Sequence, residues 1–168
     1  LQGRIDAEYS HADRKVFVAS GTSGGLALAM WSLINPGDEV IVFDPYFVMY
    51  EALVKVVGGT VVLVDTYPDF TIDLDRTADA ITPRTRLLLV SHVVNITGQI
   101  LPVRKIVDMA HARNVRVAVD GAHAFAHVDF RIPDVGADFY AASLHKWLGA
   151  PLGAGLLAAG LNWLAMVS

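Results

Sequence analysis

The sequence predicts an α/β fold in which helices cover both faces of a mainly parallel sheet. Short runs that are apolar almost throughout alternate with amphipathic runs along the whole chain, and this alternation is typical of parallel strands buried on both sides. The 168 residues suit one domain with a sizeable core. Hydrophobic residues make up 54% of the chain and charged residues 18%, so part of the apolar surface is expected to meet a partner.

Three strands and two helices are predicted in the first half of the chain. The strands are short and rich in β-branched residues, whereas the apolar residues of the helices recur at helical spacing. A turn at NPGDE ends the first helix, and the pair Gly58 and Gly59 ends the second. The order is KVFVAS (strand, 15–20), GGLALAMWSLI (helix, 24–34), EVIVFD (strand, 39–44), YFVMYEALVKVVGG (helix, 46–59) and TVVLVD (strand, 60–65).

Four further strands and two helices are predicted in the second half by the same criteria. Pro102 opens the longer helix at its first turn, where the N–H that proline lacks has no intrahelical partner. The order is a short helix (73–80), TRLLLVS (strand, 85–91), PVRKIVDMAHARN (helix, 102–114), VRVAVD (strand, 115–120), DFYAAS (strand, 138–143) and GAGLLAA (strand, 153–159).

Polar residues follow five of these strands at the point where each strand ends. The carboxyl ends of parallel strands meet at one edge of a sheet, and ligands of open α/β folds bind there. These residues are therefore expected to line one site. They fall at 20–23, 44–47, 91–98, 120–123 and 143–146.

The stretch GTSGG at 21–25 has two interpretations. It matches G-x-S-x-G, the turn that exposes a nucleophilic serine in hydrolases, with Ser23 as nucleophile and Asp120 and either His123 or His145 as its partners. It also matches a glycine-rich turn whose N–H groups hold a phosphate at the start of a helix. The second interpretation is favoured, because a nucleophile turn normally follows several strands and this one follows the first.

Asp120 and Lys146 agree with the phosphate interpretation. Asp120 ends an apolar strand, so its carboxylate is expected to be shielded and paired with a cation or a hydrogen-bond donor. Lys146 lies between an apolar strand and a glycine-rich loop, where desolvation would favour the neutral amine that forms an imine. A phosphate turn, an acidic partner for a ring nitrogen and such a lysine are what pyridoxal phosphate requires. A metal site at Asp120, His123 and His127 is disfavoured, because this segment is a loop after a strand.

Five motifs occur together and in order: SGTSGG, PGDEVIVFDPYFVMY, NITG, VDGAH and SLHKWLGAPLG. In this combination the chain resembles the large domain of fold-type-I pyridoxal-phosphate enzymes, the aminotransferase superfamily, over essentially all of its length. The resemblance implies a three-layer α/β/α sandwich around a mainly parallel, seven-stranded mixed sheet. It also implies one domain over residues 1–168, without the N-terminal arm and the C-terminal small domain of the family.

The resemblance further implies the cofactor, pyridoxal 5′-phosphate, and the residues around it. Lys146 matches the lysine of the internal aldimine and Asp120 the partner of the pyridine nitrogen, and with His123 near the ring oxygen they form the expected catalytic set. The remaining cofactor contacts that it implies are Gly21, Thr22 and Ser23 at the phosphate, Phe47 stacked on the ring, Asn95 at the ring oxygen, and Ser143 and His145 just before the lysine.

The reaction that the resemblance implies has two versions. The first half of the chain is similar to class I and II aminotransferases and the second half, from about Ser91, to class V enzymes, a chimera-like pattern. The main expectation is amino-group transfer between an amino acid and a keto acid, and the alternative is a class V lyase or epimerase. A cysteine desulfurase would need a cysteine, and these 168 residues contain none. A serine hydrolase using Ser23 and a non-catalytic scaffold are further alternatives.

Composition bears on partners and location. The 13 Lys and Arg against 17 Asp and Glu give a net charge of −4, and without a basic run no nucleic-acid partner is expected. The absence of cysteine excludes disulfides and Cys-based zinc sites, and the polar start LQGRIDAEYS is atypical of a signal peptide. The uncharged stretch 147–168 is long enough to cross a bilayer, but its Gly, Pro and Asn residues favour a buried loop, strand and helix start. A cytoplasmic homodimer is expected.

Overall fold

The computed structural model describes residues 14–160, which form a sheet of seven strands with helices between them. Each strand agrees to within one residue at either end with a segment predicted from its apolar, β-branched composition. The strands are β1 (Arg14–Ser20), β2 (Glu39–Asp44), β3 (Thr60–Asp65), β4 (Thr85–Ser91), β5 (Arg116–Asp120), β6 (Phe139–Ser143) and β7 (Ala154–Gly160).

Six helices lie between the strands, two of them not predicted. They are α1 (Gly21–Leu33), α2 (Met49–Val56), α3 (Leu74–Asp79), α4 (Val103–His111), α5 (Ile132–Val135) and α6 (Leu144–Trp147). Helices α5 and α6 were missed because four residues are too few to show a helical period. Helix α1 begins three residues earlier than expected, so the predicted phosphate loop is its first turn. Pro102 is the N-cap of α4 and not a residue of its first turn.

The strand order across the sheet is β1-β7-β6-β5-β4-β2-β3. Strand β7 is antiparallel to both of its neighbours, β1 and β6, and the other four pairs are parallel. The predicted mainly parallel, mixed sheet of seven strands is therefore confirmed. The register sets Ser91, the last residue of β4, beside Asp120, the last residue of β5, so two polar side chains are adjacent at the carboxyl edge.

Both faces of the sheet are covered by helices, which gives the predicted three-layer α/β/α sandwich. Along β4, Leu88 and Val90 belong to one hydrophobic cluster, whereas Leu87 and Leu89 belong to the other. This alternation follows from the two-residue period of a strand. Residues of α4 and α5 complete the first cluster, and residues of α1 and α2 complete the second.

The uncharged stretch 147–168, which is long enough to cross a bilayer, is divided between different elements of the fold. Residues 154–160 form β7, which pairs with β1 on one side and β6 on the other, so the strand predicted there is confirmed. The loop before it was predicted to be buried, and this is wrong, because Leu148 and Leu152 are exposed. The helix start expected after them lies outside the described residues. Over residues 14–160, none of the helices combines the length and the apolar character that crossing a bilayer requires.

Strand β7 passes very close to the first turn of α1. A Cβ atom added to Gly155 would lie 2.5 Å from the Cα atom of Gly21, well inside van der Waals contact. Gly21 has a φ of +61°, a conformation that glycine adopts readily, and its N–H donates to the carbonyl of Gly153 at 2.8 Å. Glycine at position 155 therefore permits the backbone packing that positions the start of α1.

We expect Gly155→Ala to destabilise the chain by about 1–3 kcal/mol, the usual cost of inserting a methyl group where there is no room. Thermal or urea unfolding measures the change. Gly160→Ala is the matched control, because it lies in the same strand and its added Cβ would stay 3.6 Å from the nearest atom, the Asp138 carbonyl oxygen. Equal losses in the two variants would contradict the close-packing explanation.

Candidate active site

A cavity of about 320 Å³ opens at the carboxyl edge of the sheet. It is lined by residues from the ends of β1, β4, β5 and β6 and from the start of α2, as parallel strand ends predict. All ten residues that were assigned to the site from the sequence line this cavity, namely Gly21, Thr22, Ser23, Phe47, Asn95, Asp120, His123, Ser143, His145 and Lys146. The fold thus brings them together, while their chemical roles stay predictions.

The first turn of α1 forms one end of the cavity. Its N-cap, Ser20, makes no side-chain capping hydrogen bond. Instead the Thr22 N–H donates to the Ser143 Oγ at 2.9 Å, and the two hydroxyl oxygens of these residues are also 2.9 Å apart. Ser143, at the end of β6, therefore acts as a cap supplied from a neighbouring strand.

These bonds correct one expectation about the phosphate site. The N–H groups of residues 21–23 were expected to face the phosphate together, but those of Gly21 and Thr22 are bonded to Gly153 and Ser143, because β6 and the turn before β7 pack directly against them. The donors left at this end are the Ser23 N–H, the Ser23 hydroxyl and one hydroxyl proton of the Thr22–Ser143 pair, whose other proton joins the two oxygens. Since the first turn of α1 has no acidic residue, its positive partial charge is available to an anion.

Asp120 ends β5 at the base of the cavity and is only 7% exposed. Its Oδ2 accepts a hydrogen bond from the Tyr50 hydroxyl at 2.6 Å, and its Oδ1 accepts one from the Ala122 N–H at 2.9 Å. Burial raises the pKa of Asp120, and both hydrogen bonds and the nearby charges of His123 and Lys146 oppose this rise. The structure thus shows the shielded and paired carboxylate that the apolar strand predicted.

Lys146 lies in α6, directly after β6. Its side chain is exposed, so the expectation of a desolvated lysine is wrong. The short helix carries it past the edge of the sheet instead of leaving it among the apolar residues of β6. Its positive charge still acts on both Asp120 and His123, which places the three expected catalytic groups near one another.

His123 is partly buried in the turns that follow β5. Burial lowers its pKa, the charge of Lys146 lowers it further, and Asp120 opposes both. The ring is therefore neutral at pH 7 and is able to accept or donate a hydrogen bond. His127 connects this segment to α6, since its ring stacks on Trp147 at 3.9 Å and its Nδ1 lies 2.9 Å from the His123 carbonyl oxygen.

Phe47 and Asn95, the predicted ring-stacking residue and the predicted partner of the ring oxygen, differ in exposure. Phe47 is partly buried and meets Tyr50 edge to face, with ring centroids 5.9 Å apart, whereas Asn95 is exposed. Tyr50 and Ser91 also line the cavity, and the sequence motifs give neither of them a role. The spacing of three between Phe47 and Tyr50, at the start of a predicted helix, is the signal that could have found Tyr50.

Two other interpretations of these residues gain no support from residues 14–160. The Ser23 hydroxyl has no hydrogen bond to His123 or His145 there, and His145 Nδ1 instead faces the Ala154 carbonyl oxygen at 3.4 Å. The same residues contain no group of three His, Asp or Glu side chains arranged to hold a metal ion.

A family model described as aminotransferase class V matches residues 7–165. The chain belongs to this family. The class V match extends over both halves of the sequence, including the half whose motifs are similar to class I and II enzymes. The predicted membership of the fold-type-I pyridoxal-phosphate enzymes is confirmed.

This class V chain is similar to a desulfurase, an epimerase and a lyase. A probable cysteine desulfurase of Xylella fastidiosa is 32% identical over 151 residues, which are 85% of this chain and 36% of the relative. The isopenicillin N epimerase of Streptomyces clavuligerus is 50% identical over 78 residues, 46% of this chain and 20% of the relative. A cystine C–S lyase structure with its product, cysteine persulfide, is 27% identical with a TM-score of 0.81, covering 89% of this chain and 42% of that one. The chain thus spans about a third of the desulfurase that it matches.

The cofactor of this class V family is pyridoxal 5′-phosphate, and the donors around the cavity fit it. A cavity of about 320 Å³ has room for one substituted pyridine ring. Hydroxyl groups and the N-terminus of α1 border the cavity and are donors of the kind that a phosphate needs, and the buried Asp120 carboxylate, of the kind that a protonated pyridine nitrogen needs, lines it as well. A primary amine, Lys146, lines the same cavity.

Proposed function

We propose that this class V chain is the cofactor-binding large domain of a lyase or epimerase that acts on an amino acid. The proposal is supported most directly by the meeting of Lys146, Asp120 and the first turn of α1 around one cavity. The similarity to desulfurases, a cystine lyase and an epimerase favours these reactions over amino-group transfer, the main expectation from the sequence.

Each group in the cavity has a distinct part in the proposed site. When bound, pyridoxal phosphate forms an imine with an amine and withdraws electrons from the α-carbon of an amino acid. The Lys146 Nζ provides the amine and moves the α-proton as a general base. Asp120 holds a proton at the ring nitrogen, and Phe47 fixes the plane of the ring. His123, neutral at pH 7, donates a hydrogen bond to the ring oxygen.

The phosphate end is proposed to rely on hydroxyl groups as well as on the helix. Thr22, Ser23 and Ser143 each carry a hydroxyl that lines the cavity, and the N-terminus of α1 adds its partial positive charge. His145 borders the same end, since an added Cβ on Gly21 would lie 3.6 Å from its ring. Homodimer formation and a cytoplasmic location stay predictions beside this proposal.

Cofactor loading and product analysis test the proposal. The chain is incubated with pyridoxal phosphate and dialysed, and a visible absorption band of the imine is expected to remain. The loaded chain is then given single L- and D-amino acids. Release of a keto acid with ammonia, and with sulfide as well when the amino acid is cysteine, indicates a lyase. Interconversion of the enantiomers, detected on a chiral column, indicates an epimerase.

The remaining outcomes separate the alternatives. A keto acid formed together with an aminated cofactor would return the assignment to an aminotransferase. Loss of the whole band on dialysis would contradict the proposal. Labelling of Ser23 by a fluorophosphonate would indicate a serine hydrolase. A stable oligomer whose melting temperature does not change when the cofactor is added would indicate a scaffold.

A further inference from the structure

Three side chains form a continuous hydrogen-bonded chain that ends at the candidate active site. The Ser91 Oγ lies 2.8 Å from the Tyr50 hydroxyl oxygen, and the same hydroxyl donates to the Asp120 Oδ2 at 2.6 Å. Tyr50 is 2% exposed. None of the functions argued above uses Tyr50 or Ser91, although both line the cavity.

The direction of these hydrogen bonds follows from the number of protons. A tyrosine hydroxyl has one proton, and an ionised carboxylate only accepts, so the Tyr50 proton points at Asp120. Ser91 must then donate its own proton to the Tyr50 oxygen. Hydrogen bonds in series polarise one another, so Ser91 makes Tyr50 a stronger donor.

The Asp120 carboxylate is held from two directions by this arrangement. Its Oδ1 is fixed by the Ala122 N–H, which comes from its own turn, and its Oδ2 by Tyr50, which comes from α2. Tyr50 also contacts the ring of Phe47 edge to face. One helix start thus carries both the ring expected to stack on the cofactor and the donor to its acidic partner.

We propose that Tyr50 is a positioning residue that, supported by Ser91, keeps the buried Asp120 carboxylate ionised and aimed at the ring nitrogen of the cofactor. This proposal rests on the proposed function for its final step, the contact with the cofactor. Its first step, the control of the charge of Asp120, concerns this chain alone.

The electrostatic surroundings agree with this role. Burial alone raises the pKa of Asp120, and among the opposing influences the Tyr50 hydrogen bond is the largest, followed by the Ala122 N–H, His123 and Lys146. The pKa of Tyr50 lies well above its ordinary value because of burial and the Asp120 charge, so Tyr50 stays a donor at all working pH values. Burial and the charge of Asp120 also raise the pKa of Tyr140, so the Tyr140 hydroxyl stays protonated as well.

The test is a titration of the Asp120 carboxyl by carbon-13 NMR in the cofactor-free chain. We expect Tyr50→Phe to raise the titration midpoint by about one pH unit, a ten-fold change in the acid dissociation constant, because the charged form loses a hydrogen bond. Ser91→Ala is expected to raise it by less. Tyr140→Phe is the matched control, since Tyr140 is equally buried but its hydroxyl lies 3.0 Å from His92 Nδ1 and does not bond Asp120.

A second measurement is the dissociation constant of pyridoxal phosphate as a function of pH. Tyr50→Phe is expected to bind about ten-fold more weakly at neutral pH, the effect of one hydrogen bond to a charged group. Its loss of affinity on the acid side is expected to begin at higher pH than in the wild type. The Tyr140→Phe profile is expected to follow the wild type.

The outcomes distinguish this proposal from the proposed function. If the wild type binds no cofactor and the Asp120 midpoint still rises in Tyr50→Phe, the function fails and the control of Asp120 stands. If the wild type binds cofactor and Tyr50→Phe changes neither measurement, the positioning role is overturned. If Tyr50→Phe does not fold, Ser91→Ala decides, and an unchanged midpoint in that variant overturns the proposal.

Discussion

Replacing Lys146 with alanine is expected to abolish the imine band that survives dialysis, because no other group at the site supplies the amine in the proposed function. Turnover of an amino acid by the loaded chain should fall by at least about 10²–10⁴-fold, the usual contribution of a general base. The melting temperature of the cofactor-free chain should stay the same, because Lys146 is exposed and packs into neither hydrophobic cluster. Absorbance after dialysis, the rate of product formation from an amino acid and a thermal melt measure the three effects.

Two controls make this result specific. Lys146→Arg keeps the positive charge beside Asp120 and His123 but provides a guanidinium, which forms no imine, so it should lose the band as alanine does. Lys105→Ala removes an exposed lysine of α4, away from the cavity, and should keep the band. A band that persisted in Lys146→Ala would mean that another amine holds the cofactor.

Asp120→Asn is expected to weaken pyridoxal phosphate binding by about 10–100-fold, since a charge-assisted hydrogen bond to the ring nitrogen is lost. The cofactor-free chain should become more stable at neutral pH, because the substitution removes a buried charge. The melting temperature should rise by about 2–4 °C, which corresponds to about 1 kcal/mol for a chain of this length. Titration with cofactor and a thermal melt without it measure the two effects.

The existing hydrogen bonds accommodate this asparagine. Its oxygen accepts from the Ala122 N–H, its NH₂ donates to the Tyr50 oxygen, and the Tyr50 proton turns to Ser91. The second N–H of the asparagine and the Ser91 proton have no partner within this network and are left to the cavity that both residues line, so they offset part of the gain from removing the charge.

The stability difference between wild type and Asp120→Asn has a defined pH dependence. Burial raises the pKa of Asp120 in the folded chain above its unfolded value, so the folded chain holds this proton to higher pH. The stability of the wild type is therefore full below the unfolded pKa and decreases as pH rises through the folded pKa. The stability of the variant should exceed that of the wild type by little in acid, and this difference should grow as pH rises through the folded pKa. An advantage that shrank as pH rose would contradict a raised pKa.

The strands could be predicted accurately because their signal is local. In β4 the run TRLLLVS is apolar on both faces, and the structure places Leu88 and Leu89 in different clusters on opposite sides of the sheet. Helix α6 could not be predicted, because LHKW is too short to show a period. Its residues contact other segments of the chain, since Trp147 stacks on His127 and His145 Nδ1 faces the Ala154 carbonyl oxygen.

The site residues were predicted for a related reason. The carboxyl ends of parallel strands meet at one edge of the sheet, so the polar residues at these ends come close together, as Ser91 and Asp120 do. The motifs of the family then suggested a role for each. Neither the exposure of a side chain nor its hydrogen-bond partners could be predicted in this way. Lys146, for example, was expected to be desolvated and is exposed.

The sequence by itself determined the order of the strands and of four of the six helices described, the two covered faces of the sheet, the class of cofactor and the ten residues that meet at one edge. Only the tertiary structure decided which of their polar atoms remain available. The Thr22 N–H is bonded to Ser143, which lies 121 residues later, and the Asp120 carboxylate is held by Tyr50, 70 residues earlier. The physical reason is that hydrophobic periodicity is encoded locally, whereas the partner of a polar group depends on how distant segments pack together.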